Sequence, residues 1–215
     1  MTNLNKLLIF LFVAGLSLTF FYGFQWWNST QAVEKVTQEE MNDWHSSPGE
    51  KVAIDSKKGE ESEDKGNVVY TKDIDTYEKG EETGRLVIPH LEKGYTTYWG
   101  ADDESLDQGV GMYVSKWTTT PDQKRHTVLS GHRETVFTNL GEIEKGESIF
   151  YEYDGKRYEY KVEKSWVTEE DDRTVIVDKD EPTLTLTTCY PFDFVGSAPE
   201  RYILQSTLVS VQEIE

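Results

Sequence analysis

A single cysteine, Cys189, closes the run Thr183-Leu184-Thr185-Leu186-Thr187-Thr188-Cys189. The run alternates, so on a strand Leu184 and Leu186 share one face while Thr183, Thr185, Thr187 and Cys189 share the other. A structural cysteine behaves as a small buried hydrophobe. Cys189 instead stands off the leucine face, at a strand end, just ahead of Tyr190-Pro191. That is where a nucleophilic thiol would be presented, although a half-buried, inert thiol fits the same placement.

A nucleophilic thiol needs a base or cationic partner and a stabiliser for the oxyanion it creates. The histidines are His45, His90, His126 and His132. His45 falls in a segment poor in apolar residues, which would position it badly. His126 and His132 bracket Thr127-Val128-Leu129-Ser130-Gly131 with the same parity. About 20 Å separates them along a strand, so only one can serve Cys189. His132 follows Ser130-Gly131 at the end of an apolar strand, as Cys189 ends its own. His126 follows Asp122-Gln123-Lys124-Arg125 and is expected to be solvated. Arg201 opens Arg201-Tyr202-Ile203-Leu204-Gln205, across a loop holding Pro191, Gly196 and Pro199. Adjacent strands joined by that loop would set Arg201 beside Cys189, where a forked guanidinium suits a forming oxyanion. A surface arginine paired with Glu200 or another carboxylate is the plainer alternative.

The elements that must position these residues begin near Gly84. Short apolar or alternating runs recur at Arg85–Ile88, Thr96–Trp99, Thr127–Gly131, Ser148–Tyr153, Lys156–Val167, Thr174–Val177, Thr183–Cys189 and Arg201–Val211. Tyr153-Asp154-Gly155-Lys156 is a hairpin signal with Asp-Gly as the turn. This spacing predicts one mostly β domain over residues 82–215, a barrel or a sandwich, with a helix between Ala101 and Tyr113 and a helical turn at Thr138–Gly141. Residues 28–81 read as a flexible stalk: Ser46–Lys65 is too polar to offset its ordering entropy. A short helix is expected around Val33–Trp44, where Val33, Val36, Glu40 and Trp44 fall at near-helical spacing.

Leu7–Phe24 carries no charge, and Trp26 and Trp27 follow. At the helical rise this run spans about 27 Å, near the thickness of a bilayer core. Paired tryptophans suit the interface. No small-x-small site follows, so residues 1–27 are expected to be an uncleaved anchor rather than a signal peptide. Lys6 and the amino terminus would stay inside and the rest outside. In an extracellular domain one cysteine cannot pair within the chain; it is an idle thiol, an intermolecular bridge or a reactive group. The net charge of −18 and the lack of a basic patch argue against nucleic acid as a partner.

Thr-Leu-Thr-Thr-Cys ending a strand, Ser-Gly-His upstream and an arginine twelve residues past the cysteine together resemble a sortase. The resemblance covers roughly residues 84–215, and the anchor and stalk fit the usual layout. Thr-Cys-Tyr-Pro-Phe and Ala198-Pro199-Glu200-Arg201 are most similar to class D. The resemblance implies a closed eight-stranded β-barrel with one or two short helices. It implies a transpeptidase with Cys189 as nucleophile, His132 as proton donor and acceptor, and Arg201 as transition-state stabiliser. Substrates would be exported proteins with a C-terminal LPxT-like signal, seated near Thr187 and Thr188. The acceptor would be a peptidoglycan amine or its precursor, at the outer face of a Gram-positive membrane. No cofactor is implied, and no acidic set matches the calcium site of some class A members, so no metal ligand is assigned. The alternatives are a membrane-tethered cysteine peptidase or L,D-transpeptidase-like enzyme, and a non-catalytic wall-binding β-domain. Papain-like enzymes place Cys before His, opposite to this chain.

Overall fold

A computed structural model of the chain describes residues 3–31, 33–37, 40, 44, 50–51, 68–193, 196 and 198–214. The first element, α1 (Asn3–Gln31), carries the apolar stretch Leu4–Phe24, 21 residues with a mean hydropathy of 2.2 and none of it buried. It spans about 31 Å at 1.5 Å per residue, which fits a membrane anchor.

The strands follow as β1 (Val33–Lys35), β2 (Glu50–Lys51), β3 (Glu82–Ile88), β4 (Lys93–Trp99), β5 (Val110–Met112), β6 (His126–Ser130), β7 (Ser148–Tyr153), β8 (Lys156–Glu169), β9 (Thr183–Tyr190) and β10 (Glu200–Glu213). A one-turn helix, α2 (Asp103–Leu106), precedes β5, with the Asp102 carboxylate accepting from the amides of Glu104 and Ser105 at its start. The strands β3 to β10 run in the order β4-β3-β7-β8-β10-β9-β6-β5, and a parallel β4–β5 pairing closes the ring. The eight-stranded barrel expected from the resemblance is therefore present. Its interior holds Leu86, Ile88, Met112, Leu129, Ile149, Leu184, Leu186 and Leu204, all fully buried. Each such side chain contributes about 1.5–3 kcal/mol through burial.

Two boundaries differ from the sequence expectation. Val110–Met112, placed inside a helix, is the strand that closes the ring; its three residues are too few to carry a period, and all three are buried. Thr174–Val177 is not a strand. Asp172 turns the chain there, accepting from the Thr174 amide and hydroxyl at 2.8 and 2.7 Å and from the Thr168 hydroxyl at 2.5 Å. Those bonds, the Thr168 hydroxyl foremost, hold the Asp172 carboxyl below its usual range. At the hairpin, Asp154 (φ 48°) and Gly155 (φ 68°) both take positive φ, the backbone of the type I′ turn that Asp-Gly predicts.

Several of the described residues between α1 and the barrel are docked on it. On its side facing away from β3, β4 pairs with β5 through Thr97–Trp99, and β1 takes the remainder, with Val33 opposite Tyr95 and Lys35 opposite Lys93. Likewise β2 pairs with β10 at Ser210 and Val211, beyond the end of β9. The added strands cover edges that the ring leaves unpaired. Val36 and Trp44 are buried against Val87 and Phe150. The Trp44 ring lies 5.4 Å from that of Phe150, with the Arg157 guanidinium 4.7 Å from its centroid. Arg85 binds Glu34 at 3.2 Å and Glu40 at 2.6 Å. The helical spacing of Val33, Val36, Glu40 and Trp44 is thus split: Val33 lies in a strand, while Glu40 and Trp44 have helical backbone. Apart from Glu50 and Lys51, the polar stretch Ser46–Lys65 lies outside the described residues.

Candidate active site

Two strand pairings bring the candidate residues to one end of the barrel. β6 and β9 run parallel, with Ser130 opposite Thr187. Strands that run parallel point the same way, so His132 and Cys189, each two residues further on, come to the same end of the sheet, His132 past β6 and Cys189 still within β9. The pairing is extended past β6 by the Gly131 amide, which donates to the Thr187 carbonyl at 3.1 Å. The Thr188 hydroxyl donates to the Gly131 carbonyl at 2.7 Å. Gly131 is required there: a β-carbon would lie 2.6 Å from Val136 and 2.7 Å from the Phe137 ring. On the other side of β9, antiparallel β10 sets Arg201 directly opposite Cys189.

Burial along β9 explains why the thiol stands where it does. Thr183 and Thr185 are buried although they share the face opposite the leucines, because His126 and the β8–β9 connection cover them. The cover ends at Thr187, and Thr187 and Cys189 are half-exposed. A groove of about 500 Å³ opens at this end, lined by Tyr113, Trp117, Ser130, Thr187, Arg201 and Ile203, with Glu169, Glu170, Asp171, Asp172 and Arg173 along one wall. Cys189 and His132 are not in that lining. Cys189 lies about 7 Å from Thr187 along the same strand face, at the end of the groove.

The structure brings together Cys189, His132 and Arg201, and gives Thr187 and Thr188 different surroundings. Thr187 lines the groove, whereas Thr188 is buried and its hydroxyl is spent on Gly131. Arg201 is held at the groove by three bonds. Its Nη1 donates to the carbonyls of Ala198 at 3.1 Å and Glu200 at 3.0 Å, and its Nη2 to Glu170 at 3.1 Å. The ion pair of the plainer alternative therefore exists, but with Glu170 on the groove wall. It engages one of five N–H donors, and the carbonyls two more. His132 is one-third exposed, and its Nε2 lies 3.7 Å from Asp107, just past α2. That carboxylate pairs with the ring when the imidazole is protonated.

His126 is not solvated as its polar neighbours suggested. It is fully buried, because Arg125, not His126, is the residue that turns to the surface acids, binding Asp178 at 2.9 Å. The His126 Nδ1 lies 2.6 Å from the Val177 carbonyl and its Nε2 2.8 Å from the Thr185 hydroxyl. A carbonyl only accepts, so Nδ1 carries the proton and Nε2 accepts from Thr185. Burial pushes this imidazole down to about 4. His90 stands elsewhere, its Nδ1 2.6 Å from Glu147.

Asp107, Glu170 and the groove aromatics Tyr113 and Trp117 carried no sequence signal. Each comes from a segment whose partner is distant in the chain, and only the β4–β5 closure and the β8–β9 turn bring them to the site.

Comparison with known proteins gives a consistent picture. The Sortase domain family model matches residues 86–209. Sortase D of Bacillus subtilis (strain 168) is 37% identical over 134 residues, 62% of this chain and 67% of that protein. The catalytic domain of B. anthracis SrtD matches with a TM-score of 0.57 and 52% identity, covering 65% of this chain and 94% of that one. Sortase E1 from Streptomyces coelicolor, solved with a tripeptide in the active site, matches with a TM-score of 0.57 and 27% identity, covering 62% and 91%.

Proposed function

The chain belongs to the sortase family, and we propose that it is a membrane-anchored cysteine transpeptidase of class D type that cleaves an LPxT-like sorting signal. The observation that supports this reading is the shared end of β6, β9 and β10, where His132, Cys189 and Arg201 meet beside a groove. The signal lies extended in that groove, passing Thr187 towards Cys189. The Cys189 thiolate attacks the threonine carbonyl carbon, and a C–S bond forms. Arg201 donates to the resulting oxyanion with the N–H groups left by Ala198, Glu200 and Glu170. The intermediate collapses, the C–N bond breaks, and His132 gives its proton to the departing amine. The acyl group remains on Cys189 as a thioester. An amine of peptidoglycan or its precursor then attacks that carbonyl, His132 takes the amine's proton, and the new amide leaves with the thiolate restored.

In this reading α1 is an uncleaved anchor with its amino terminus inside, and the barrel works on the outer face of the membrane, where exported substrates and wall amines are available. Docking of β1 and of Trp44 holds the barrel close to the anchor. A peptidase would use water as the acceptor, and a wall-binding domain would form no acyl-enzyme at all.

The test is mass spectrometry of the full chain in detergent, mixed with a library of LPxT-like peptides with and without an added oligoglycine or diamine. An adduct on Cys189 of the mass of the peptide cut after threonine, consumed faster when the amine is present, is expected. An unmodified Cys189 across the library overturns the reading.

A further inference from the structure

Among the described residues the largest fully buried side chain is an arginine, Arg133, next to His132 in sequence. Its guanidinium reaches under the loop that joins Cys189 to Arg201. Nη1 donates to the Pro191 carbonyl at 3.0 Å, Nη2 to the Gly196 carbonyl at 2.6 Å, and Nε to Glu134 at 2.8 Å. The side chain is 1% exposed, while Glu134 is 60% exposed. Burying a guanidinium is costly unless its donors are met by good acceptors, and charge-assisted bonds of this length are among the stronger ones. Such a group is expected where the local backbone lacks other support.

That condition holds on the β6 side, whereas Cys189 and Tyr190 stay paired with β10. The last contacts between the His132 and Cys189 segments are the Gly131 amide to Thr187 and the Thr188 hydroxyl to Gly131. Beyond them the parallel pairing of β6 and β9 stops, yet both reactive residues lie beyond it. Arg133 takes over at that point, bonding two residues past Cys189 at Pro191 and again at Gly196, in the loop that leads to Arg201. On the other side, the Phe137 amide donates to the His132 carbonyl at 3.0 Å and closes the turn that carries Arg133.

We infer that Arg133 is a positioning residue that ties the Pro191 and Gly196 carbonyls to the His132 turn and so fixes His132 relative to the Cys189–Arg201 pair, which β9 and β10 already hold in register. This rests on the transpeptidase reading for its kinetic consequence, but not for its structural one. Lysine keeps the charge and loses the fork that spans two carbonyls and a carboxylate. Gly196 has φ 110°, a backbone conformation that alanine resists, so Gly196→Ala moves the acceptor while leaving Arg133 intact.

The experiment compares the full chain with Arg133→Lys and Gly196→Ala, well below each melting midpoint. Single-turnover acylation by a saturating sorting peptide, per folded molecule, is read beside amide hydrogen exchange. We expect Arg133→Lys to acylate ten- to hundredfold more slowly, with half-saturating peptide concentration within threefold of the parent. Exchange at the amides between Pro191 and Pro199 should quicken at least tenfold, with β6 and β9 unchanged. Gly196→Ala should show the same pattern at smaller size, and it serves alone if Arg133→Lys does not fold. Parent-like rate and exchange in the folded variants overturn the role of Arg133. A parent that does not acylate overturns the transpeptidase reading instead, and the exchange arm still decides whether Arg133 locks the loop.

Discussion

One strand carries a histidine at its start and another just past its end, and the two have opposite surroundings. His126 opens β6 fully buried, with both ring nitrogens satisfied by Val177 and Thr185. His132 lies two residues beyond β6, one-third exposed, with Asp107 3.7 Å away. The first is held neutral and braces the β8–β9 connection, whose Val175 and Ile176 line the groove. The second is open to solvent beside a carboxylate. Residue type and parity are the same. What separates them is whether the strand end is covered by the β8–β9 connection or left open beside Cys189.

Removing each ring should therefore fail in a different way. His132→Ala is expected to lower single-turnover acylation of Cys189 by about 10²–10⁴, the range for a positioned acid–base group, with little change in the thermal melt. Retained acylation, or a collapsed melt, would reverse the contrast. Arg201 sharpens it from the other side of Cys189. Losing an oxyanion donor costs about 10²–10³ in rate, whereas an exposed ion pair such as Arg201–Glu170 is worth about 0–1 kcal/mol of stability. Arg201→Ala should acylate slowly and melt normally, with Arg201→Lys in between. Near-parent acylation in folded Arg201→Ala returns Arg201 to a surface ion pair.

The sequence was readable where the chemistry follows from strand order and parity. Cys189 off the leucine face, His132 past an apolar strand and Arg201 opening the next are local facts, and the sheet needed only to pair β6, β9 and β10 to unite them. It was unreadable where partners are far apart. Val110–Met112 has no period to betray it as the closing strand. His126 has charged neighbours, yet the chain about fifty residues on folds over it. Arg133 reads as one more basic residue until the loop after Cys189 lies on it. Val33–Trp44 has helical spacing, but the open edge of β4 offers β1 hydrogen bonds that a short isolated helix in water cannot match.

His126→Ala tests the buried half of the pair. It removes a packed ring and leaves the Val177 carbonyl without its donor. A lost buried partner of this kind costs about 1–3 kcal/mol, before any cavity is counted. The melt should fall by several degrees, while acylation per folded molecule stays within a few-fold of the parent. A rate loss as deep as that of His132→Ala, with the melt unmoved, would make His126 the proton carrier.

The smallest expected effect is also the most specific to His126. Burial depresses its folded value from 6.5 to about 4. Between those values the unfolded chain holds a proton that the folded chain does not, so stability rises with pH across the window. The contribution is complete above about pH 6.5 and is lost as the pH falls towards 4, at no more than about 1.4 kcal/mol per pH unit. Most carboxylates titrate below pH 5, so the interval from 6.5 to 5 isolates the histidine. Urea unfolding of the parent should show a midpoint falling through that interval, and His126→Gln, which cannot titrate, should show a slope smaller by up to one proton. Equal slopes in the parent and His126→Gln would mean that His126 protonates as readily folded as unfolded, and the contrast between the two ends of β6 would then lie in position alone.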